Sequence, residues 1–364
     1  MDPQVSVVLP VYNSERYLAA AVASILQQTF ADFEVLAIDG GSSDRSLDIL
    51  REFASRDPRV RVVKQEGKGL VGALNQGLAM ARGEFLARMD ADDIAHPERF
   101  ARQVAFLRKN TAIAVVGSAM TLIDGDGRRV RDIDYPVEPA AVARALEDGS
   151  ALAHPAVMMR RETVVRTGGY RPVLDFAEDY DLWLRMSEQA QLANLPDRLL
   201  SYRHHAGKRG SIFAFEQELH TQFARLSAAA RRNGRGDPLD RLTDLSVDDL
   251  GRFGLSAEER ERLVLRLVDP LLGATSAEEM RRAVEVLDLV GPQPLDRRRV
   301  ARKKHALALM FYRGGRYGAA LLWSVRAAAT SPGEISLMWA ALGVRMVRKA
   351  ASATRQQLTR LVRA

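Results

Sequence analysis

The sequence predicts an α/β fold, with helices flanking a mostly parallel sheet, followed by an all-helical C-terminal extension. The first observation is a series of short apolar runs rich in β-branched residues, at 5–12, 33–39, 60–63 and 84–89. The second is the helical spacing of apolar residues between them, at about 14–28, 45–54 and 70–81. Such alternation is typical of crossover units in a parallel sheet. The third is the Arg-, Ala- and Leu-rich text after residue 202, which carries no strand signal.

Two domains are expected from a length of 364 residues, because a single core rarely grows beyond about 250–300 residues. The change in composition places the boundary near residue 215, between an α/β domain at 1–215 and a helical region at 216–364. A hydrophobic content of 47% and a charged content of 27% are typical of a globular chain.

Several classes of protein are excluded by what the sequence lacks. It has no cysteine, which excludes disulfides, thiolate nucleophiles and zinc-thiolate sites. The first ten residues do not form a secretory signal, and no run reaches the roughly 18 apolar residues of a membrane-spanning helix. We therefore expect a cytoplasmic protein.

The net charge of +7 is concentrated at the C-terminal end, where residues 301–364 hold twelve Lys or Arg and one acid, Glu334. The last segment, 336–364, mixes large apolar residues with six of these basic ones. This pattern suits an interfacial helix on the inner face of the cytoplasmic membrane, or a helix that packs on a neighbour with a solvated arginine face. Within 336–364 no aromatic residue lies between two basic ones, which disfavours nucleic acid as a partner.

Three polar side chains follow the ends of predicted strands: Asn13, Asp39 and Asp90. Ligands of parallel sheets bind at the carboxyl ends of the strands, so these residues are expected to meet at one rim. Asp90 opens the run Asp90-Ala-Asp-Asp, whose crowded carboxylates cost free energy unless a cation relieves them. Hard oxygen ligands without histidine or thiol suit Mg²⁺ or Mn²⁺. The alternative is that Asp92 or Asp93 caps a helix beginning near Pro97.

The motifs, in their order along residues 4–212, resemble the family-2 glycosyltransferases, which are inverting, nucleotide-sugar-dependent enzymes with a GT-A fold. "VSVVLPVYN" resembles their first strand, "AIDGGSSDRSLDIL" a nucleotide-contacting loop and "ARMDADDIAHPERF" the metal-binding motif. "AHPAVMMRRETV" and "AEDYDLWLRM" resemble the acceptor half, and "LLSYRHHAGKRGS" the closing loop. The resemblance implies transfer of a sugar from a UDP-, GDP- or TDP-linked donor to a glycan or polyprenyl-linked acceptor, in bacterial surface polysaccharide synthesis.

The resemblance also implies roles for individual residues on the donor side. Asp39 would bind the base, Asp90 would bridge the ribose and metal regions, and Asp92 would be a direct ligand of Mn²⁺ or Mg²⁺. The remaining nucleotide-contacting residues would be Pro10, Tyr12, Asn13, Ala91 and Arg203, and His205 of the closing loop would be a second metal ligand. Many relatives carry paired aspartates where this chain has Asp39-Gly40, and the closing loop is longer and more basic than usual, so His204 and His205 compete for the ligand role.

On the acceptor side the resemblance makes Asp179 the general base that takes the proton of the attacking hydroxyl, with Glu178 and His154 beside it. The residues alone allow simpler interpretations. The run Glu178–Arg185 also fits the start of an amphipathic helix, since acids are favoured in a first turn. A lone histidine such as His154 is more often structural, and a basic closing loop with Arg203 is commonly only solvated.

Three other functions remain as alternatives. A nucleotidyltransferase of the same fold would require a glycine-rich basic loop after the first strand, which Pro10-Val-Tyr-Asn13 is not. A non-catalytic member of the fold is disfavoured by the intact set Asp39, Asp90, Asp92 and Asp179. A protein that binds nucleic acid or membrane through its basic tail is the third.

Overall fold

The computed structural model describes residues 2–204, 211–272, 276–290, 294, 296–313 and 315–331. The chain divides into two compact units. The first comprises Met1–Lys208 and Ala224–Thr243, and the second comprises Arg209–Phe223 and Asp244–Ala364. The division near residue 209 lies close to the boundary expected near 215, but residues 224–243 belong with the first unit.

The first unit begins with a parallel half of the sheet, in the order β3-β2-β1-β4. Its strands are β1 (Val5–Val11), β2 (Phe33–Asp39), β3 (Val60–Lys64) and β4 (Phe85–Arg88). The connecting helices are α1 (Glu15–Leu26), α2 (Ser46–Arg56) and α3 (Gly69–Met80). Strands β1, β2 and β4 are buried almost throughout, which explains why each is a nearly continuous run of apolar residues. These elements confirm the predicted alternation.

The other half of the sheet is mixed and continues the order as β4-β8-β6-β9-β5, with β7 paired to β6. Its strands are β5 (Ile94–Ala95), β6 (Ile113–Ile123), β7 (Arg129–Ile133), β8 (Met158–Arg160) and β9 (Gln191–Arg203). The helices are α4 (Arg99–Lys109), α5 (Pro139–Ala145), α6 (Arg161–Arg166) and α7 (Glu178–Ser187). The three-residue β8 pairs antiparallel with both β4 and β6, so it joins the two halves.

A buried carboxylate stabilises the parallel half. Glu34 on β2 accepts hydrogen bonds from the Ser6 hydroxyl (2.8 Å), from Arg61 Nη1 (2.7 Å) and from Arg82 Nη2 (2.8 Å). The backbone N–H of Gly83 donates to the same Ser6 hydroxyl at 2.9 Å. Two arginines and a hydroxyl therefore compensate one buried charge, as a buried acid requires.

Helix α8 (Ser211–Arg232) is shared between the units, and the described residues of the second unit form helices and their connections, without a strand. It contains α9 (Ala257–Leu267), α10 (Ala277–Asp288), α11 (Arg297–Arg313) and α12 (Tyr317–Thr330). Ser256 and Ser276 cap α9 and α10, each in a capping box with the glutamate three residues on. The helical extension is thus confirmed for the described residues, while the predicted interfacial helix at 336–364 lies outside them. None of the described helices has the length and apolarity needed to cross a membrane.

Candidate active site

A cleft of about 720 Å³ opens at the carboxyl ends of β1, β2 and β4. Six of the residues singled out from the sequence line it: Pro10, Tyr12, Asn13, Asp90, Ala91 and Asp92. The fold therefore brings residues from two separate motifs to one rim. Gln65 and the first turn of α3, at Gly69, Leu70 and Ala73, form another part of the lining that the sequence analysis did not single out.

Asn13 fixes the loop after β1 against the loop after β2. Its backbone is left-handed, with φ of 47°, a conformation that asparagine tolerates better than most residues. Its side-chain oxygen accepts a hydrogen bond from the Ser43 backbone N–H at 2.8 Å, and its own N–H donates to the Ser42 hydroxyl at 3.0 Å. The cleft wall is therefore held in place by the protein itself.

Asp39 lies behind this wall as the last residue of β2. Its carboxylate is buried and accepts the backbone N–H groups of Gly41 and Ser42 at 3.3 Å each. It supports the loop that carries Gly40 into the cleft lining, and it is not itself among the lining residues.

Asp90, Asp92 and Asp93 form a compact acidic cluster in which the ligand oxygens lie within 4.8 Å of one another. Burial, followed by the charge of Asp90, raises the pKa of Asp93 well above its ordinary value. One Asp93 oxygen accepts the Arg203 backbone N–H at 2.8 Å, while the other is buried without a hydrogen-bond partner among the described residues. Hard oxygens at this spacing, with one of them unsatisfied, fit a divalent cation such as Mg²⁺ or Mn²⁺.

The helix-capping interpretation of these aspartates is wrong. Helix α4 begins at Arg99 with Glu98 at its cap position, and the two-residue strand β5 separates it from the acidic cluster. Asp92 and Asp93 lie in the turn between β4 and β5, which is the edge of the cleft.

Arg203, predicted to contact the nucleotide, directs its guanidinium to backbone carbonyls. Nε donates to the Asp92 carbonyl at 2.9 Å, and Nη1 donates to the carbonyls of Asp124 at 3.1 Å and Gly125 at 3.3 Å. The guanidinium also lies 4.5 Å from the centre of the Tyr17 ring. This buried arginine ties the acidic turn to the β6–β7 hairpin and is not among the residues that line the cleft. The predicted metal ligand His205 lies outside the described residues.

A second group forms around the start of α7, with His154, Tyr170, Glu178 and Trp183 buried together. His154 Nε2 lies 2.9 Å from the Tyr170 hydroxyl, and Nδ1 lies 3.7 Å from a Glu178 oxygen. The Trp183 ring meets the imidazole edge-on at 5.9 Å between ring centres. The acids do lie in the first turn of a helix with packed apolar residues behind them, but eight of the ten residues of α7 are buried, so the helix is not amphipathic.

Burial changes the ionisation of this group. It lowers the pKa of His154 well below its ordinary value, with the charge of Arg88 as the second cause. Burial, assisted by the charge of Asp179, raises the pKa of Glu178 to about 8. Asp179 itself is only half-buried, and its Oδ1 accepts the backbone N–H of Tyr180 at 2.7 Å.

Arg88, the last residue of β4, is a buried cation that the sequence analysis missed. Its Nη1 lies 2.7 Å from Oδ1 of Asp90, and its charge reaches His154 and Glu178. The only signal in the sequence is a charged residue within the otherwise apolar run before Asp90. Arg88 therefore lies between the acidic cluster of the cleft and the buried group at α7.

Comparison with known proteins identifies the chain. Residues 6–168 match the domain described as glycosyl transferase family 2. The putative glycosyltransferase EpsE of Bacillus subtilis is 36% identical over 192 residues, which cover 51% of this chain and 68% of EpsE. The O-antigen biosynthesis glycosyltransferase WbnJ of Escherichia coli is 31% identical over 205 residues, which cover 55% of this chain and 80% of WbnJ. The chain belongs to glycosyl transferase family 2.

A solved structure extends the likeness of this family 2 glycosyltransferase to the fold. S. aureus TarS 1–349 in complex with UDP superposes with a TM-score of 0.50 at 20% identity, over 87% of this chain and 93% of the TarS chain. The predicted GT-A fold, with its mixed, mostly parallel sheet and helical C-terminal region, is thereby confirmed. The function that the motifs imply, transfer of a sugar, is confirmed at the level of the family.

Proposed function

We propose that this family 2 glycosyltransferase binds a UDP-, GDP- or TDP-linked sugar in the 720 Å³ cleft, with Mn²⁺ or Mg²⁺ at the acidic cluster. The sugar is transferred with inversion to a hydroxyl group of a glycan or polyprenyl-linked acceptor. The observation that carries the proposal is a cluster of three carboxylates, two of which, Asp90 and Asp92, line an open cleft at the carboxyl ends of the strands, where ligands of such sheets bind.

The two ends of the cleft suit the two parts of a nucleotide. Tyr12 is 66% exposed, so its ring is available to a base, since aromatic rings stack favourably on flat π systems. The N-terminal turn of α3 lines the cleft with the positive end of the helix dipole, which favours phosphate, although the Val71 N–H of that turn already donates to Asp175. Asp39, Pro10 and Asn13 shape and support the wall between them.

Asp92 would hold the metal ion, with Asp90 beside it. A divalent cation there offsets the negative charge that a diphosphate gains as the sugar departs, and so lowers the barrier electrostatically. The role of the chain is to fix the carboxylates: Arg88 pairs with Asp90, and the backbone of Arg203 holds Asp93.

Asp179 is the general base of the proposal. Its neighbour Glu178 has a pKa of about 8 because of its burial and the charge of Asp179, so it keeps its proton at pH 7. Asp179 is therefore the acid of the pair that is available to accept a proton from the acceptor hydroxyl. A single base that assists one direct displacement at the anomeric carbon inverts its configuration.

The relatives support a role in the synthesis of a surface polysaccharide. WbnJ is an O-antigen biosynthesis glycosyltransferase, and AmsE of Erwinia amylovora, 34% identical over 202 residues, is an amylovoran biosynthesis glycosyltransferase. A polyprenyl-linked acceptor would lie at a membrane, which agrees with the basic and apolar character of residues 336–364.

The test is thermal unfolding of the purified chain with UDP, GDP, CDP or TDP, each with and without Mn²⁺. One nucleotide at about 100 times its dissociation constant should stabilise the fold by about 2.7 kcal/mol, and only with metal. Asp92→Asn should abolish the shift, whereas Asp48→Asn, the same change on an exposed face of α2, should keep it. Absence of a shift with all four nucleotides, or an equal shift in Asp92→Asn, would contradict the proposed donor site.

A further inference from the structure

Arg88 is placed by the backbone at the junction of the two functional groups. Its N–H donates to the Val157 carbonyl at 3.1 Å, directly after the turn His154–Ala156. Arg99 Nη2 donates to the carbonyls of both Arg88 (2.7 Å) and Val157 (3.1 Å), which locks β4 to this segment. The backbone of Arg88 is thus held in place, and its side chain is buried.

The Arg88 guanidinium makes an asymmetric pair with Asp90. The side chain of Arg88 is 4% exposed and that of Asp90 is 27% exposed, with 2.7 Å between Nη1 and Oδ1. The acid therefore reaches the cleft while the cation stays beneath it. Removing the acid would strand a buried charge, whereas removing both would leave none.

A role in stability alone does not explain this arginine. Its Nε and Nη1 are both buried without a hydrogen-bond partner among the described residues, so the 2.7 Å contact of Nη1 with Asp90 is an ion pair, and the unsatisfied N–H groups cost free energy. An apolar side chain of similar volume is often as stable as a buried ion pair, or more so. What an apolar side chain would not provide is an oriented Asp90.

We propose that Arg88 is a positioning residue that orients the Asp90 carboxylate, so that the three aspartates of the acidic cluster have different roles. Arg88 pairs with Asp90 and fixes its carboxylate toward the nucleotide, the Arg203 backbone N–H holds Asp93, and Asp92 is the residue proposed to bind the metal. Arg88 acts on the donor through Asp90 and does not touch the donor itself. This inference rests on the proposed function, because it takes the cleft as the nucleotide site.

The experiment is a double-mutant cycle of Arg88→Met and Asp90→Asn, with affinities for UDP, GDP, CDP and TDP measured by calorimetry in Mn²⁺. Arg88→Met alone should cause a loss of about tenfold in the affinity for the nucleotide that the unsubstituted chain binds, equivalent to about 1.4 kcal/mol. In the Asp90→Asn background, Arg88→Met should lower the affinity less than about twofold, because Arg88 acts through the Asp90 carboxylate, which is then absent. Arg88→Lys, which keeps the charge but lacks the planar guanidinium group, should lower the affinity about threefold.

Thermal unfolding without nucleotide supplies a second readout. Asp90→Asn should lower the midpoint, and the double variant should recover part of the loss because it removes the stranded cation as well. If Arg88→Met does not fold, the cycle is run with Arg88→Lys, and the same non-additivity is expected.

The matched control repeats Arg88→Met in the Asp44→Asn background. Asp44 also lines the cleft, but its carboxylate accepts hydrogen bonds from the backbone N–H groups of Glu15 and Ser46. The losses of nucleotide affinity from Arg88→Met and Asp44→Asn should therefore add. Additive losses for Arg88 and Asp90 in nucleotide affinity would overturn the proposal, even if the midpoints were coupled. If the unsubstituted chain binds none of the four nucleotides, the proposed donor site itself is overturned.

Discussion

Two buried glutamates, one on strand β2 of the parallel half of the sheet and one at the start of helix α7, differ in ionisation. Glu34 in the parallel half lies against Ser6, Arg61 and Arg82, and these hydrogen bonds outweigh burial and lower its pKa. Glu178 at the start of α7 lies against Asp179 and the neutral His154, and burial raises its pKa to about 8. The first is built to stay ionised and the second to stay protonated.

This difference matches what each half has to do. The parallel half supplies a rigid frame and a rim of carboxylates that face the open cleft, where a ligand can compensate their charge. The group at α7 instead keeps one proton on Glu178 beside Asp179, which leaves a single defined acceptor of protons. In the parallel half, arginines or a ligand compensate the charge of the carboxylates. At the start of α7, burial keeps Glu178 protonated and so removes its charge.

The largest effect that sharpens the comparison is expected from Asp179→Asn. Loss of the general base should lower the rate of sugar transfer about 10³-fold, within the usual range of about 10²–10⁴ for such groups. Nucleotide affinity should stay unchanged because the base lies outside the cleft lining. Transfer to an acceptor extract and calorimetry with nucleotide measure the two quantities. Asp148→Asn, on a side chain that is 95% exposed, is the control, and near-normal transfer by Asp179→Asn would assign the base elsewhere.

The second prediction concerns Glu34→Gln, which should lower the free energy of unfolding by about 2 kcal/mol at pH 7. This figure is reduced for solvent screening because Arg61 and Arg82 are 37% and 51% exposed. The folded state lowers the pKa of Glu34, so its contribution is present above the ordinary value of 4.5 and is lost as pH falls through the lowered value. Urea unfolding at pH 7 and pH 4 should show the difference shrinking in acid. Glu52→Gln, at an exposed pair on α2, should have almost no effect, and an equal loss there would remove the distinction.

The parallel half was predictable because its signals are local. Each of β1 to β4 coincides within about two residues with an apolar run in the sequence, and each of β1 to β3 is followed by a helix with its own periodicity. Asp90 and Asp92 were predictable for the same reason, since a strand end at a known edge of the sheet locates the side chains that follow it.

The mixed half was not predictable in the same way because its pairings join distant segments. Strand β8 has three residues, and it becomes a strand only because Met158 pairs with Ala87 on one side and Val116 on the other. That pairing is also what brings Arg88 beside the turn at His154, so the role of Arg88 has no local signature. Arg203 was identified from its motif, but its partners are backbone carbonyls that residue type does not reveal.

The third prediction tests the opposite sign in the second region. The folded state raises the pKa of Glu178, so its contribution to stability is complete below 4.5 and is lost as pH rises through about 8. Glu178→Gln is neutral at every pH and does not lose this contribution, so its free energy of unfolding should rise by about 4 kcal/mol relative to that of the unsubstituted chain between pH 5 and pH 8.5. Urea unfolding at both pH values measures it, and the titration of His154 is shared by both proteins. Parallel pH profiles would show that Glu178 is ionised in the fold.

The smallest effect is expected at the mouth of the cleft, where Tyr12→Ala removes an exposed ring. If that ring stacks on the base, nucleotide affinity should fall about fivefold, equivalent to about 1 kcal/mol, while the unfolding midpoint without nucleotide stays the same. Tyr12→Phe keeps the ring and should keep the affinity, which separates stacking from a hydroxyl contact. Calorimetry with the nucleotide that stabilises the unsubstituted chain provides the measurement. An equal loss in both variants would assign the contribution of Tyr12 to its hydroxyl, and no loss in either would place the base away from this ring.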